Sequence, residues 1–194
     1  MASGSSGAAA ESKPARTRLL ELLRTHAYER KRVTLASGKE SDFFIDCKRV
    51  VLTAEGHALT GVVMLDALAA FGACAAVAGV ALGGCPLASA VALTSFQRGT
   101  PLDAVYVRKE VKDHGSRQLI EGSARLPQGA RVALLEDVVT TGGSTLQAAE
   151  KLRAAGLVLA GVVAIVDRLE GGRDAIEATG LRLVSLFTRD DFVT

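Results

Sequence analysis

The sequence predicts an α/β fold, a doubly wound parallel sheet with a small N-terminal cap. Three observations carry that expectation. From about residue 54 onward, short apolar runs alternate with longer helix-like segments. Strands joined through helices pair in parallel and are covered on both faces. Apolar residues make up 48% of a 194-residue chain, enough to bury one core in one domain with a small subdomain. No internal repeat and no long linker divides the chain.

Residues 1–13, MASGSSGAAAESK, are small and polar and lack an apolar segment behind basic residues. They are expected to be disordered and not to act as a signal peptide. Residues 14–194 form the domain, with 14–53 as the cap and 54–194 as the α/β core. Residues 14–28 read as a helix, because Leu19, Leu20, Leu22 and Leu23 form an apolar stripe between charges. Residues 33–50 read as two short strands joined by a Ser/Gly turn. A second helix spans 54–70. The run CAAVAGVAL (74–82) is a strand closed by Gly83 and Gly84, and Pro86 opens a helix to about residue 97. Residues 102–108 form a strand, and the polar stretch 109–122 a loop. A strand at 131–135 leads to a helix at 144–155, ended by Gly156. A strand at 157–167, a short helix at 174–178 and a last strand at 181–187 complete the core.

Composition excludes some functions. A formal net charge of +2 argues against a nucleic-acid-binding protein, although a local basic cluster remains open. Cys47, Cys74 and Cys85 are odd in number and have no CxxC spacing, so a disulfide framework or zinc site is not expected and a reducing cytoplasm fits best. The longest apolar stretch, 71–82, is too short to span a bilayer.

The chemistry concentrates in VALLEDVVTTGGST, where Glu136 and Asp137 follow an apolar strand and a turn of glycines and hydroxyls runs into a helix. Ligands of open parallel sheets bind beyond the carboxyl ends of the strands. Backbone amides at a helix N-terminus favour an anion. Gly142 and Gly143 allow close approach, and Thr140, Thr141, Ser144 and Thr145 add hydroxyls. The turn therefore suits a phosphate monoester, and the acids beside it suit ribose hydroxyls or a magnesium ion shared with a diphosphate. GxxxxGK[ST] and GxGxxG are both absent, which excludes a Walker A loop and a dinucleotide fingerprint. An ordinary capped strand–turn–helix would explain a bare Gly-Gly-Ser, but not the acid pair attached to it.

LLEDVVTTGGST resembles the signature of type I phosphoribosyltransferases, which bind 5-phosphoribosyl 1-diphosphate (PRPP). The resemblance implies that Glu136 and Asp137 contact the ribose hydroxyls. It places Val138, Val139, Thr140, Thr141, Gly142, Gly143 and Ser144 on PRPP, with the 140–144 turn on the 5-phosphate. Three further stretches resemble the orotate branch of that family. YVRKEVKDHGSRQLIEG (106–122) is similar to its catalytic loop, which implies diphosphate contacts from Arg108, Lys109, Lys112 and His114, with Lys112 stabilising charge. VTLASGKESDFFID (33–46) resembles its N-terminal hood over the flat pyrimidine. Phe43 and Phe44 should face opposite ways there, one on the base and one in the core. IVDRLEGG (165–172) places Arg168 past a strand end, where a guanidinium fork matches the carboxylate of orotate, with Thr140 helping. Without that resemblance, Arg168 reads as a surface residue paired with Asp167 or Glu170.

The resemblance covers most of residues 16–192, with its motifs in the family's order. It implies a type I phosphoribosyltransferase-like doubly wound sheet with a small N-terminal hood. It also implies Mg2+-dependent transfer from PRPP to orotate, with Lys112, Asp137 and Glu136 as the catalytic group. No protein metal ligand is assigned, because the diphosphate and ribose hydroxyls are expected to hold Mg2+. The expected partners are PRPP, orotate and a second subunit sharing the active sites, with no nucleic acid and no membrane. Two family contacts with PRPP are missing, because Ala36 and Leu82-Gly83 stand where some members carry Lys and Tyr-Lys; Lys39 or Lys48 are the candidates to compensate. The rivals are a purine phosphoribosyltransferase, which has no use for Arg168, and a PRPP-sensing regulator, which would want a basic nucleic-acid face.

Overall fold

The computed structural model describes residues 5–34, 40–109 and 119–193. A long helix, α1 (Ser5–Leu22), runs through a π-helical turn at Leu23–Ala27 into β1 (Tyr28–Thr34), which pairs antiparallel with β2 (Glu40–Ile45). Two segments differ from expectation here. Residues 5–13, expected to be disordered, belong to α1, where the alanines at 8–10 favour helix. Tyr28, expected to close the helix, opens β1 instead. The Ser/Gly turn at 35–39, with Ala36 and Lys39, lies outside the described residues.

The core follows as α2 (Lys48–Val51), α3 (Ala54–Ala67), β3 (Ala76–Val80), α4 (Gly84–Gln97), β4 (Asp103–Val107), β5 (Ile120–Glu121), β6 (Arg131–Val139), α5 (Gly143–Ala154), β7 (Val158–Asp167), α6 (Gly172–Glu177) and β8 (Leu183–Thr188). The six-stranded sheet has the order β5-β4-β3-β6-β7-β8, parallel except for β5 against β4. The two-residue strand β5 falls in the stretch expected to be loop; it is too short to carry a period of its own.

Alternation along each strand divides the core between two faces. Val77 of β3 and Leu135 of β6 pack under α1, α3 and α4, together with Leu19, Leu87 and Ile165. Ala78, Val80 and Leu134 point the other way and meet Ala148, Leu152 and Ile176 of α5 and α6. Residues 54–71 make one apolar helical run that would cross a membrane by length and composition. It serves as a core helix, burying Val63, Met64, Leu68 and Phe71.

The chain builds outward from β3 to β4, then returns to add β6 on the other side. The order therefore reverses between β3 and β6, and open α/β sheets bind ligands at such a switch point. The close packing there has a local cause. A side chain on Gly79 would strike the Gly84 carbonyl oxygen at 2.1 Å, and one on Gly83 would strike the Asp137 carboxylate at 2.1 Å. Glycine alone lets the β3–α4 turn lie against the acid pair.

Candidate active site

The site starts with the last residues of β6. The expected strand end at residue 135 is too early, because β6 continues to Val139, paired with β7 down to Val139 opposite Asp167. Pairing with β3 stops at Leu135. Glu136 and Asp137 therefore lie within the strand, not past it, on the stretch that β3 no longer covers.

The two acids have different surroundings. Glu136 is buried, at 4% exposure, and accepts hydrogen bonds from Thr145 Oγ1 at 3.1 Å and Ser144 Oγ at 3.4 Å. Burial first, and the charge of Asp137 second, push its carboxyl up to about 8, against the hydroxyl bonds that favour the ionised form. Asp137 is half-buried and accepts from the Val138 N–H at 2.9 Å. Cys47, buried behind the strand, has its Sγ 3.9 Å from the Asp137 carbonyl oxygen, and burial pushes its thiol well up. Cys47 is the cysteine that touches the acid pair's backbone.

Gly142 caps α5 with a left-handed φ of 80°, and its carbonyl accepts the first helical bond, from the Leu146 N–H at 2.9 Å. A non-glycine residue would be strained there and would meet the Gly172 carbonyl oxygen at 3.0 Å. No side chain caps this end, so the amides of the first turn keep their donors for a ligand. Thr141, Gly143 and Ser144 are exposed. Thr145, expected to offer a hydroxyl to the ligand, instead turns inward and holds Glu136.

One strand over, Arg168 donates its backbone N–H to the Val139 carbonyl at 3.0 Å, which brings its turn beside the glycine turn. The residue is only 8% exposed. Nη2 pairs with Glu170 at 2.8 Å and donates to the Phe43 carbonyl at 3.0 Å, and the guanidinium lies 5.4 Å from the Phe43 ring centroid. Arg168 is thus a buried bridge between hood and core, not a surface residue, and among the described residues it pairs with Glu170. Asp167 pairs with Arg173 instead, at 3.1 Å.

The two hood phenylalanines do face opposite ways. Phe43 is buried against Tyr28 and Phe192, with ring centroids at 5.1 and 5.8 Å. Phe44 is half-buried, with the Lys31 ammonium 4.0 Å from its ring centroid. Arg189 pins the hood to the core through Asp42 at 2.6 Å.

The basic loop is described only at its ends. Lys112, His114 and Arg117 lie outside the described residues. Arg108 pairs with Glu121 at 3.5 Å, and Lys109 is exposed. A cavity of about 300 Å³ joins Arg108, Lys109, Gln147 and Lys151 to Ser144 of the glycine turn. Lys48, a candidate to compensate for Ala36, is held by Asp46 at 2.6 Å; that bond, and more weakly Asp137, raises its ammonium. Among the described residues, no group of three His, Cys, Asp or Glu could hold a metal ion.

Comparison with known proteins agrees with this geometry. The phosphoribosyl transferase domain family matches residues 65–183. The chain is 67% identical over 178 residues to the orotate phosphoribosyltransferase of Sorangium cellulosum, covering 92% of this chain and 93% of that protein. Mycobacterium tuberculosis orotate phosphoribosyltransferase, solved with Fe(III) dicitrate, superposes with a TM-score of 0.79 at 38% identity, covering 93% of this chain and all of that one. The same enzyme solved with PRPP gives 0.76 at 36% identity, with the same coverage. The chain belongs to the phosphoribosyltransferase family and, within it, to the orotate phosphoribosyltransferases.

Proposed function

We infer that the protein transfers the 5-phosphoribosyl group of PRPP to orotate, giving orotidine 5′-phosphate and diphosphate for pyrimidine biosynthesis. The observation that carries this reading is one juxtaposition: an uncapped helix N-terminus and an acid pair at the switch point, with a buried arginine one strand away. The 5-phosphate takes the amides of the 142–145 turn. The ribose hydroxyls take Asp137 and Glu136, the latter donating a proton in its neutral form. Orotate lies toward the hood, its carboxylate on Arg168 with Thr140 beside it.

The chain supplies orientation and charge more than covalent chemistry. As the C1–O bond breaks, the diphosphate leaves with the bonding electrons and the ribose becomes cation-like. Asp137, beside the ribose, favours that positive charge. Arg108, Lys109, Lys112 and His114 favour the charge on the diphosphate. Orotate N1 bonds to C1, and its proton passes to the departing diphosphate or to solvent water. Magnesium, carried by the diphosphate and ribose oxygens with Asp137 as the neighbouring carboxylate, would neutralise part of the leaving-group charge. An oxygen-bound cation that needs few protein ligands fits a donor set of two acids.

The working unit in this reading is a cytoplasmic homodimer that shares its active sites. An apolar groove of about 560 Å³ between α3 and α4, lined in part by Leu52 and Leu93, supports a second copy on that face. Leu52 and Leu93 are 66% and 56% exposed there. Exposed leucines along a groove of this kind favour association.

The test is loss of orotate's ultraviolet absorbance on mixing protein, PRPP and Mg2+, with a chelator control. A decrease that requires both PRPP and Mg2+ is expected. No decrease, with PRPP still bound in calorimetry, would keep the phosphate site and move the base to another class such as a purine.

A further inference from the structure

One charged side chain near the site has no part in the chemistry above. Lys151 lies on α5, seven residues after Ser144, so two helical turns return it to the same face. Its Nζ donates to two consecutive backbone oxygens, that of Arg108 at 2.9 Å and that of Lys109 at 2.7 Å. β4 ends at Val107, so both carbonyls have left the ladder between β3 and β4. A carbonyl in that position otherwise faces water, and a bond from an ammonium is among the stronger replacements.

The consequence is a strand end fixed from several sides. The Arg108 N–H donates to the Leu119 carbonyl at 2.8 Å, its guanidinium pairs with Glu121, and its carbonyl is held by Lys151. Both bonds from Lys151 go to neutral oxygens. Among the described residues no carboxylate pairs with it, so its positive charge adds to the field of Arg108 and Lys109 around the 300 Å³ cavity. The same face of α5 carries Ser144 of the phosphate turn at one end and this tether at the other.

We propose that Lys151 is a positioning residue. It ties the end of β4 to the helix whose first turn receives the phosphate, and so fixes how Arg108 and Lys109 present their charge to the same ligand. This rests on the PRPP reading of the glycine turn. Spacing alone places Lys151 on the Ser144 face, but only the fold brings the β4 carbonyls to it.

The test compares Lys151→Met, which keeps the length and removes the donors, with Lys151→Arg, which restores donors and charge. Each is read by PRPP titration in calorimetry without orotate, by kcat and both KM values, and by thermal unfolding. The Met variant is expected to weaken PRPP binding and lower kcat by roughly 10- to 100-fold. Its orotate KM and Tm should stay near wild type, and the Arg variant should recover most of the loss. A Met variant with wild-type PRPP affinity and kcat would overturn the proposal. So would a Met variant that loses orotate and PRPP alike together with its Tm, since that marks a merely structural lysine. A wild-type protein that does not bind PRPP would remove the site reading, and the tether with it.

Discussion

The turns that leave β6 and β7 stand side by side, yet they meet a ligand in opposite states. The β6 turn holds out uncapped amides around Gly142, and its buried acid, Glu136, is already satisfied by Thr145 and Ser144. A phosphate there finds donors with nothing to displace. The β7 turn offers a full charge, Arg168, but Glu170 and the Phe43 carbonyl engage it. An anion there must trade places with a carboxylate. In the proposed reading the difference is a division of labour: the first turn gives affinity for the phosphosugar, and the second gives selection. A base without a carboxylate cannot replace Glu170, so it leaves the pair intact and gains nothing from Arg168.

The largest expected effect breaks the first turn alone. Asp137→Asn keeps the shape but removes the charge that faces the ribose, and should lower kcat/KM for PRPP by roughly 10- to 100-fold. Orotate binding should change far less; equal losses for both substrates would dissolve the division.

A smaller effect concerns Glu136 and pH. Its carboxyl sits near 8 in the folded protein against an ordinary value of 4.5. A raised folded value means the folded state keeps a proton that the unfolded chain loses. The stability this gives is complete below about 4.5, declines as pH rises and is gone above about 8. Glu136→Gln is neutral throughout. Its Tm relative to wild type should therefore grow across that window, and a pH-independent difference would show an ordinary carboxyl.

The smallest effect sharpens the second turn. Glu170→Gln weakens the competitor for Arg168, and the orotate KM should fall by roughly two- to fivefold, the size of a weak ion pair. A rise would mean that Glu170 orients the arginine rather than competing with the substrate.

Much of the first turn was legible in the sequence, because its parts are contiguous. The acid pair, the glycines and the hydroxyls sit within ten residues, and local chemistry decides what they do. The alternation of apolar runs gave the sheet for the same reason. What could not be read depends on contacts across the chain. Residues 43 and 168 meet only after folding, so the burial of Phe43 under Arg168 had no local sign. Arg168 had two candidate acids, Asp167 and Glu170, and the choice follows from Arg173, which takes Asp167. The strand end at Val139 was missed because two carboxylates interrupt an apolar pattern, although β7 still pairs with them. The start of α1 was missed because Ser and Gly precede its alanines.

The division of labour is tested most directly by the two Michaelis constants of Arg168→Ala. Loss of a charged hydrogen-bond partner should raise the orotate KM by roughly 10- to 100-fold while the PRPP KM stays near wild type. Equal rises in both constants, or an unchanged orotate KM, would contradict it.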